Sequence, residues 1–146
     1  MNKVRLRKLA SVLENYATEK KKLVVPLDRF DLSAWFEHSY TEPGAKGCGT
    51  AACAVGFAML HPWFQKQGLK PSTDVTRQPQ TPDDFFDSGP ATDTGYYGWG
   101  AADAFFDVPD EASSWLFSSA SYTRSPRPAT VAKRIREYVK TGVVPE

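Results

Sequence analysis

A run of ten residues without a polar side chain, 51–60, constrains this chain more than any other stretch. A helix that is apolar on every side lies inside a protein, and ten residues span about 15 Å, too little to cross a bilayer. Thr50 is a good N-cap, and Pro62 ends the helix. Gly56 weakens a helix by about 1 kcal/mol relative to alanine, so we expect close packing there. The run predicts a buried central helix.

Both cysteines of the chain lie close to this run. Cys53 falls in the first predicted turn, where the helix dipole and free N–H groups lower the pKa of a thiol. Cys48 comes just before the predicted N-cap, from where its thiol would face the same free N–H groups. A cysteine in or beside an apolar run is more often a small buried hydrophobe, so we favour a structural role for both Cys53 and Cys48. A disulfide between the two is disfavoured, because one residue lies inside the helix and the other outside it.

A cysteine-dependent hydrolase or transferase is an alternative, and it needs a histidine within reach of a thiol. His38, ten residues before Cys48, is the candidate partner, because His61 lies at the far end of the helix. The competing prediction places His38 on the surface. Cys53 and His61 are separated by about 12 Å along the helix. Zinc ligands lie only about 2.0–2.3 Å from the metal, so these two cannot share one. We expect no metal and no cofactor.

Charge is unevenly distributed along a chain whose formal net charge is only +1. Residues 1–22 carry a net +5 and residues 124–146 a net +4, whereas residues 78–123 contain eight acids and no lysine or arginine. Basic ends of this kind either pack beside the acidic middle, which we favour, or face a polyanion. A nucleic-acid-binding protein that uses its basic first and last helices is therefore a further alternative. The near-neutral total charge argues against it.

The spacing of apolar residues predicts a mainly α fold. Residues 70–97 contain four prolines and are expected to form a long irregular loop, in which Phe85 and Phe86 are an anchor or a short strand. The prediction is one compact domain, residues 1–146, of five or six short helices around the buried central helix. Besides the central helix, helical segments are expected over about 2–17, 28–36 (a short helix or turn), 62–67, 99–106, from 109 onward, and 129–140.

The irregular segment is also the candidate contact surface. Tyr96, Tyr97 and Trp99 follow a run of acidic residues that includes Asp83 and Asp84. Exposed aromatic residues beside charge are typical of recognition surfaces, although Trp99 is equally suited to a core position. We therefore predict a non-enzymatic protein that binds an unidentified protein partner, with its oligomeric state left open.

Two spaced motifs of the chain are Phe30-Asp31-Leu32-x-x-Trp35 and Cys48-Gly49-Thr50-x-x-Cys53-x-x-Gly56-x-Ala58. With these motifs the chain resembles a family of small uncharacterised proteins of bacteria and their phages. The resemblance covers most of the chain and implies no activity; it implies the helical architecture and a phage origin. Such proteins often have a histidine where this chain has Phe57, which argues against a catalytic histidine there.

These observations together predict a cytoplasmic accessory protein, phage-encoded and directed at a host component. Two cysteines form no disulfide framework, which is typical of a reducing compartment. The residues after Met1 lack the apolar segment of a signal peptide, and no apolar run is long enough to span a membrane.

Overall fold

A computed structural model describes residues 1–40 and 50–146. Cys48 lies outside the described residues. The helices are α1 (Lys3–Glu14), α2 (Tyr16–Glu19), α3 (Ala54–Leu60), α4 (Pro62–Lys66), α5 (Gly98–Phe106), α6 (Asp110–Phe117) and α7 (Pro128–Thr141). The strands are β1 (Arg29–Phe30), β2 (Phe36–Ser39), β3 (Thr50–Ala52), β4 (Leu69–Pro71), β5 (Phe85–Asp87) and β6 (Pro90–Thr92).

The first and last long helices, α1 and α7, pack along each other and join the two ends of the chain in one hydrophobic core. The start of α7 at Pro128 is favourable because proline needs no N–H partner in the first turn. Its end is set by Gly142, whose φ of 68° suits glycine. The predicted last helix is confirmed. Its buried stripe is the predicted one, namely Val131, Ala132, Ile135, Tyr138 and Val139.

The prediction of a mainly α fold is confirmed only in part: the described residues form seven α-helices, but they also form two sheets, so the fold is mixed α/β rather than mainly α. One sheet has the strand order β1-β3-β2-β5, in which β1 and β3 are parallel and the other pairs antiparallel; β4 and β6 form the second. Residues 28–36 form no helix. The Asp31 carboxylate accepts hydrogen bonds from the N–H and hydroxyl of Ser33, which holds a turn between β1 and β2.

The long segment expected to be irregular contributes three short strands, β4, β5 and β6, to these sheets. Phe85 and Phe86 lie in β5 and pair with Ser39 and His38 of β2, so one of the two forms predicted for them, the short strand, is confirmed. Pairing with residues far away in the sequence supplies the regularity that the local pattern lacks.

The central helix is shorter than predicted, because 50–52 form β3 and the helix begins at Ala54. Cys53 is the N-cap in place of Thr50, which lies in the strand. Every residue of α3 is buried, so the predicted interior position of this helix is confirmed.

The basic ends of the chain contact the acidic segment 78–123, but mainly through neutral groups. Arg5 donates a hydrogen bond to the Phe105 carbonyl, and Arg134 of α7 likewise binds carbonyls and aromatic rings of this segment. Among the described residues, the only ion pair between a chain end and this segment joins the Met1 ammonium to Asp107 at 3.0 Å. The acidic charge is therefore largely left to solvent.

Candidate functional site

Two tryptophans from distant parts of the chain meet near the surface. Trp35 immediately precedes β2, and Trp99 lies in the first turn of α5. Their ring centroids are 4.8 Å apart with an angle of 64° between the planes, an edge-to-face contact. Trp35 is half-buried against the core, while Trp99 is 38 % exposed. We call these two residues the tryptophan pair.

Two adjoining cavities share three lining residues, Ser33, Ala34 and Trp35. The first, of about 230 Å³, contains both members of the tryptophan pair and reaches the start of the 3₁₀ turn Ser119–Ser121. The second, of about 320 Å³, extends between the residues around β2 and the end of β5. We call the two cavities together the tryptophan groove.

The backbone of Trp35 is held in place by the start of α3. The Cys53 N–H donates to the carbonyls of Ala34 and Trp35, at 2.9 and 3.4 Å. A Cβ atom on Gly56 would stand only 1.5 Å from the Trp35 carbonyl oxygen, so only glycine allows this approach. The predicted close packing at Gly56 is confirmed.

The thiol of Cys53 has a structural role, as predicted. Its Sγ accepts a hydrogen bond from the Gly56 N–H at 3.3 Å and so caps α3. Burial raises the pKa of Cys53 to about 11. A thiol that stays protonated at neutral pH is a poor nucleophile, so the expectation that the helix dipole would activate it does not hold for this residue.

Carboxylates lie along the second cavity. Glu37 of β2 and Asp87 of β5 are direct partners in the antiparallel register, so their side chains stand on the same face of the sheet. Glu37 forms an ion pair with Arg29 at 3.0 Å. Asp87 is exposed, and its carboxylate has no hydrogen bond or ion pair within the described ranges. No lysine or arginine is among the described residues that line either cavity.

The predicted contact residues are only partly brought together. Tyr96 and Tyr97, which are 52 % and 68 % exposed, are separated from Trp99 by Gly98 alone. Asp83 is exposed. The Asp84 carboxylate accepts the N–H groups of residues 80 and 81, which lowers the pKa of Asp84 and shows that it stabilises a turn. Among the described residues, no hydrogen bond or ring contact links the tyrosines to either aspartate.

The prediction that His38 is a surface residue is wrong. His38 lies in β2, opposite Thr50 of β3, and is only 2 % exposed. Its ring makes an edge contact with Phe36, and its Nδ1 has no hydrogen-bond partner among the described residues. Because Cys48 lies outside those residues, the Cys48–His38 pair stays a prediction.

Trp35 is the site residue that the sequence analysis missed, because the segment 28–36 that contains it was predicted only as a short helix or turn. No periodic signal marks a tryptophan that packs against a residue as remote as Trp99. The available hint was Gly56, whose presence in an otherwise apolar helix indicates that another backbone comes close.

No family model matches this chain, and neither a curated protein nor a solved structure is similar to it. The resemblance to small bacterial and phage proteins therefore stays a prediction, as do the phage origin, the cytoplasmic location and the nucleic-acid alternative. Within the described part of the chain, no helix has the length and apolar character needed to cross a membrane. In the same residues, no group of three or more His, Cys, Asp and Glu side chains is arranged to hold a metal ion.

Proposed function

We propose that this protein acts by binding a protein partner, without catalysis, through the tryptophan groove and the adjacent Tyr96 and Tyr97. The observation that carries the proposal is the tryptophan pair at the wall of two adjoining cavities. Tryptophan and tyrosine dominate the binding energy of protein interfaces because each buries a large area with few rotatable bonds. Trp35 and Trp99 line the groove, and the exposed Tyr96 and Tyr97 lie three and two residues before Trp99 in the sequence.

The groove is also preorganised, which favours binding over a purely structural role. The peptide that carries Trp35 is fixed by Cys53 and by the close approach of Gly56, and Trp99 lies on a regular helix. Gly89 on the other side packs at contact distance from the Trp35 ring, since a Cβ added there would be 3.4 Å from its Cδ1. A partner would therefore incur little cost for ordering this surface.

The experiment is affinity capture from an extract of the cell of origin, with partners identified by quantitative mass spectrometry. Trp99→Ala is the test variant. Val4→Ala is the control, because Val4 is an exposed apolar residue, at 67 %, on the remote helix α1. We expect a protein that the wild type and Val4→Ala retain and that Trp99→Ala loses by tenfold or more, about the effect of removing an interface anchor. Identical captured sets for all three proteins would contradict the proposal.

A cysteine-dependent activity is the second candidate function, and the burial of His38 favours it. The Nδ1 atom of His38 is buried and has no hydrogen-bond partner among residues 1–40 and 50–146; such an atom is unusual in a folded protein and often belongs to a functional site. The test is the pH dependence of iodoacetamide labelling of each thiol in the native protein. Fast labelling of Cys48 at pH 6 that His38→Gln abolishes would support this candidate, with Cys53 as the internal reference for an unreactive thiol. Slow labelling of both would refute it.

A further inference from the structure

The tryptophan groove carries negative charge that the chain itself does not neutralise. Of its two carboxylates, Glu37 is paired with Arg29, and Asp87 is exposed and unpaired within the described ranges. A third carboxylate, Asp31, lines neither cavity but accepts hydrogen bonds from the side chain and N–H of the lining residue Ser33, and these bonds lower the pKa of Asp31. With these acids and no lysine or arginine in the lining, the groove favours a cation.

The chain segment that contributes Asp87 and Trp99 to the groove is also negatively charged. Residues 78–123 hold eight acids and no lysine or arginine, and this segment provides Asp87, both tyrosines and Trp99. Among the described residues, only two of the eight acids form ion pairs: Asp93 with Lys70, and Asp107 with the Met1 ammonium. A cleft bordered by one sign of charge raises the local concentration of ligands of the opposite sign and speeds their association.

The geometry points to a basic segment of a partner protein as the occupant of the tryptophan groove, with an arginine side chain seated against the tryptophan pair. This inference rests on the proposed function. Tryptophan is the best aromatic partner for a cation. Arginine fits better than lysine, because its flat guanidinium can stack on an indole while its N–H groups bind a carboxylate such as that of Asp87.

The test is selection of random twelve-residue peptides, displayed on phage, against the immobilised full-length protein. Selected peptides are then synthesised and titrated by tryptophan fluorescence. We expect them to be net positive and to contain arginine, and to lose tenfold or more in affinity with Trp99→Ala. Replacing the peptide arginine by uncharged citrulline should cost a similar factor. Affinity should also fall several-fold between about 50 and 500 mM salt, as expected for an exposed charge interaction.

Asp87→Asn and Asp110→Asn form a matched pair for the charge argument. Both remove one negative charge from an exposed aspartate, but Asp110 lies at the start of α6 and lines neither cavity. We expect Asp87→Asn to weaken binding of the selected peptides about five- to tenfold. Asp110→Asn should weaken it less than twofold. Equal effects of the two substitutions would show only a general charge effect and would overturn the seating of the cation in the groove.

The remaining outcomes separate this inference from the proposed function. Selected peptides that need Trp99 but are neutral or acidic would overturn the basic occupant and leave the binding surface in place. Failure to select any peptide that depends on Trp99 would overturn both. Concentration-dependent self-association of the protein in sedimentation, abolished by Trp99→Ala, would assign the groove to the basic ends of a second copy and would likewise overturn the inference.

Discussion

Replacing Gly56 by alanine tests the packing of α3 against Trp35 most directly, because Gly56 supports both the core and the groove. The new Cβ would stand 1.5 Å from the Trp35 carbonyl oxygen, 2.6 Å from its carbonyl carbon and 3.1 Å from the Ala52 Cβ. Ordinary non-bonded contact requires about 3.5 Å, so the Trp35 peptide must retreat by about 2 Å. The obstacle is main chain, which cannot move aside by rotating a side chain.

The expected cost follows from what this retreat breaks. Overpacking a core costs about 1–3 kcal/mol, and loss of the buried hydrogen bonds from the Cys53 N–H to Ala34 and Trp35 costs about the same again. The better helix propensity of alanine offsets about 1 kcal/mol of this destabilisation. We expect Gly56→Ala to lower the free energy of unfolding by about 3 kcal/mol. With a slope of about 2 kcal/mol per molar, the urea midpoint should fall by about 1.5 M.

Gly100→Ala is the matched control for this substitution. Gly100 also lies within a helix, α5, but a Cβ there would have the Tyr96 ring as its nearest neighbour, at an ordinary van der Waals distance of 3.9 Å. The same chemical change should therefore stabilise the protein by up to about 1 kcal/mol. Both variants are measured by urea unfolding followed by far-UV circular dichroism. A Gly56→Ala protein at least as stable as the wild type would refute the close approach on which the position of Trp35 depends.

Two further predictions concern other buried groups. Burial raises the pKa of Cys53 from 9.0 to about 11, so between pH 9 and 10 the unfolded chain releases a proton that the folded chain keeps. The free energy of unfolding should fall by up to about 1.4 kcal/mol over that interval in the wild type, and not in Cys53→Ser. Arg134 donates to the carbonyls of Trp115 and Ser121, and lysine cannot reproduce this fork. Arg134→Lys should therefore cost about 2 kcal/mol in urea unfolding.

Each of these two predictions has its own contradicting result. A Cys53→Ser protein that loses stability as steeply as the wild type between pH 9 and 10 would assign the loss to another group. Tyr122, whose pKa burial raises from 10.0 to about 12, contributes mainly above pH 10, and it contributes equally in the wild type and in Cys53→Ser. For Arg134, the control is Arg136→Lys on the same helix, since Arg136 forms an exposed pair with Glu14 and should matter by less than about 1 kcal/mol. Equal losses of stability for both substitutions would contradict a special role of the Arg134 hydrogen bonds.

Helices that repeat their apolar spacing over several turns could be predicted from the sequence. In α7, the buried residues Val131, Ile135 and Tyr138 follow the helical period, and the observed bounds differ from the predicted ones by a single residue at each end. Such a helix buries one continuous stripe of apolar residues, and the spacing of these residues can be recognised within a short stretch of sequence.

Apart from β5, which was one of the two forms predicted for Phe85 and Phe86, the strands could not be predicted, because strands of two to four residues are too short to show a period. The strand β3 is buried on both faces and runs directly into the apolar helix α3, so the two together look like one buried helix. What makes residues 50–52 a strand is their pairing with Arg29 and Phe30 on one side and with 36–38 on the other. That information lies in distant parts of the chain.

The candidate site was predictable only in part for the same reason. Composition and charge drew attention to Tyr96, Tyr97 and Trp99, and their exposure agrees with a contact surface. Trp35 enters the site through contacts with Trp99, Gly89 and α3, none of which is near it in sequence. The burial of His38 likewise depends on the strands on both sides of β2.

Site-specific photo-cross-linking tests most directly whether the tryptophan groove is a binding surface. Benzoylphenylalanine replaces Tyr97, which is 68 % exposed and lies two residues before the groove residue Trp99, or Val4, which is 67 % exposed on α1. The two probes are equally accessible, so any difference reports contact with a partner. In the cell of origin, we predict a defined cross-linked partner from position 97 that competes with the arginine peptides, and none from position 4. The same products from both positions, or none from position 97, would contradict the proposed binding surface.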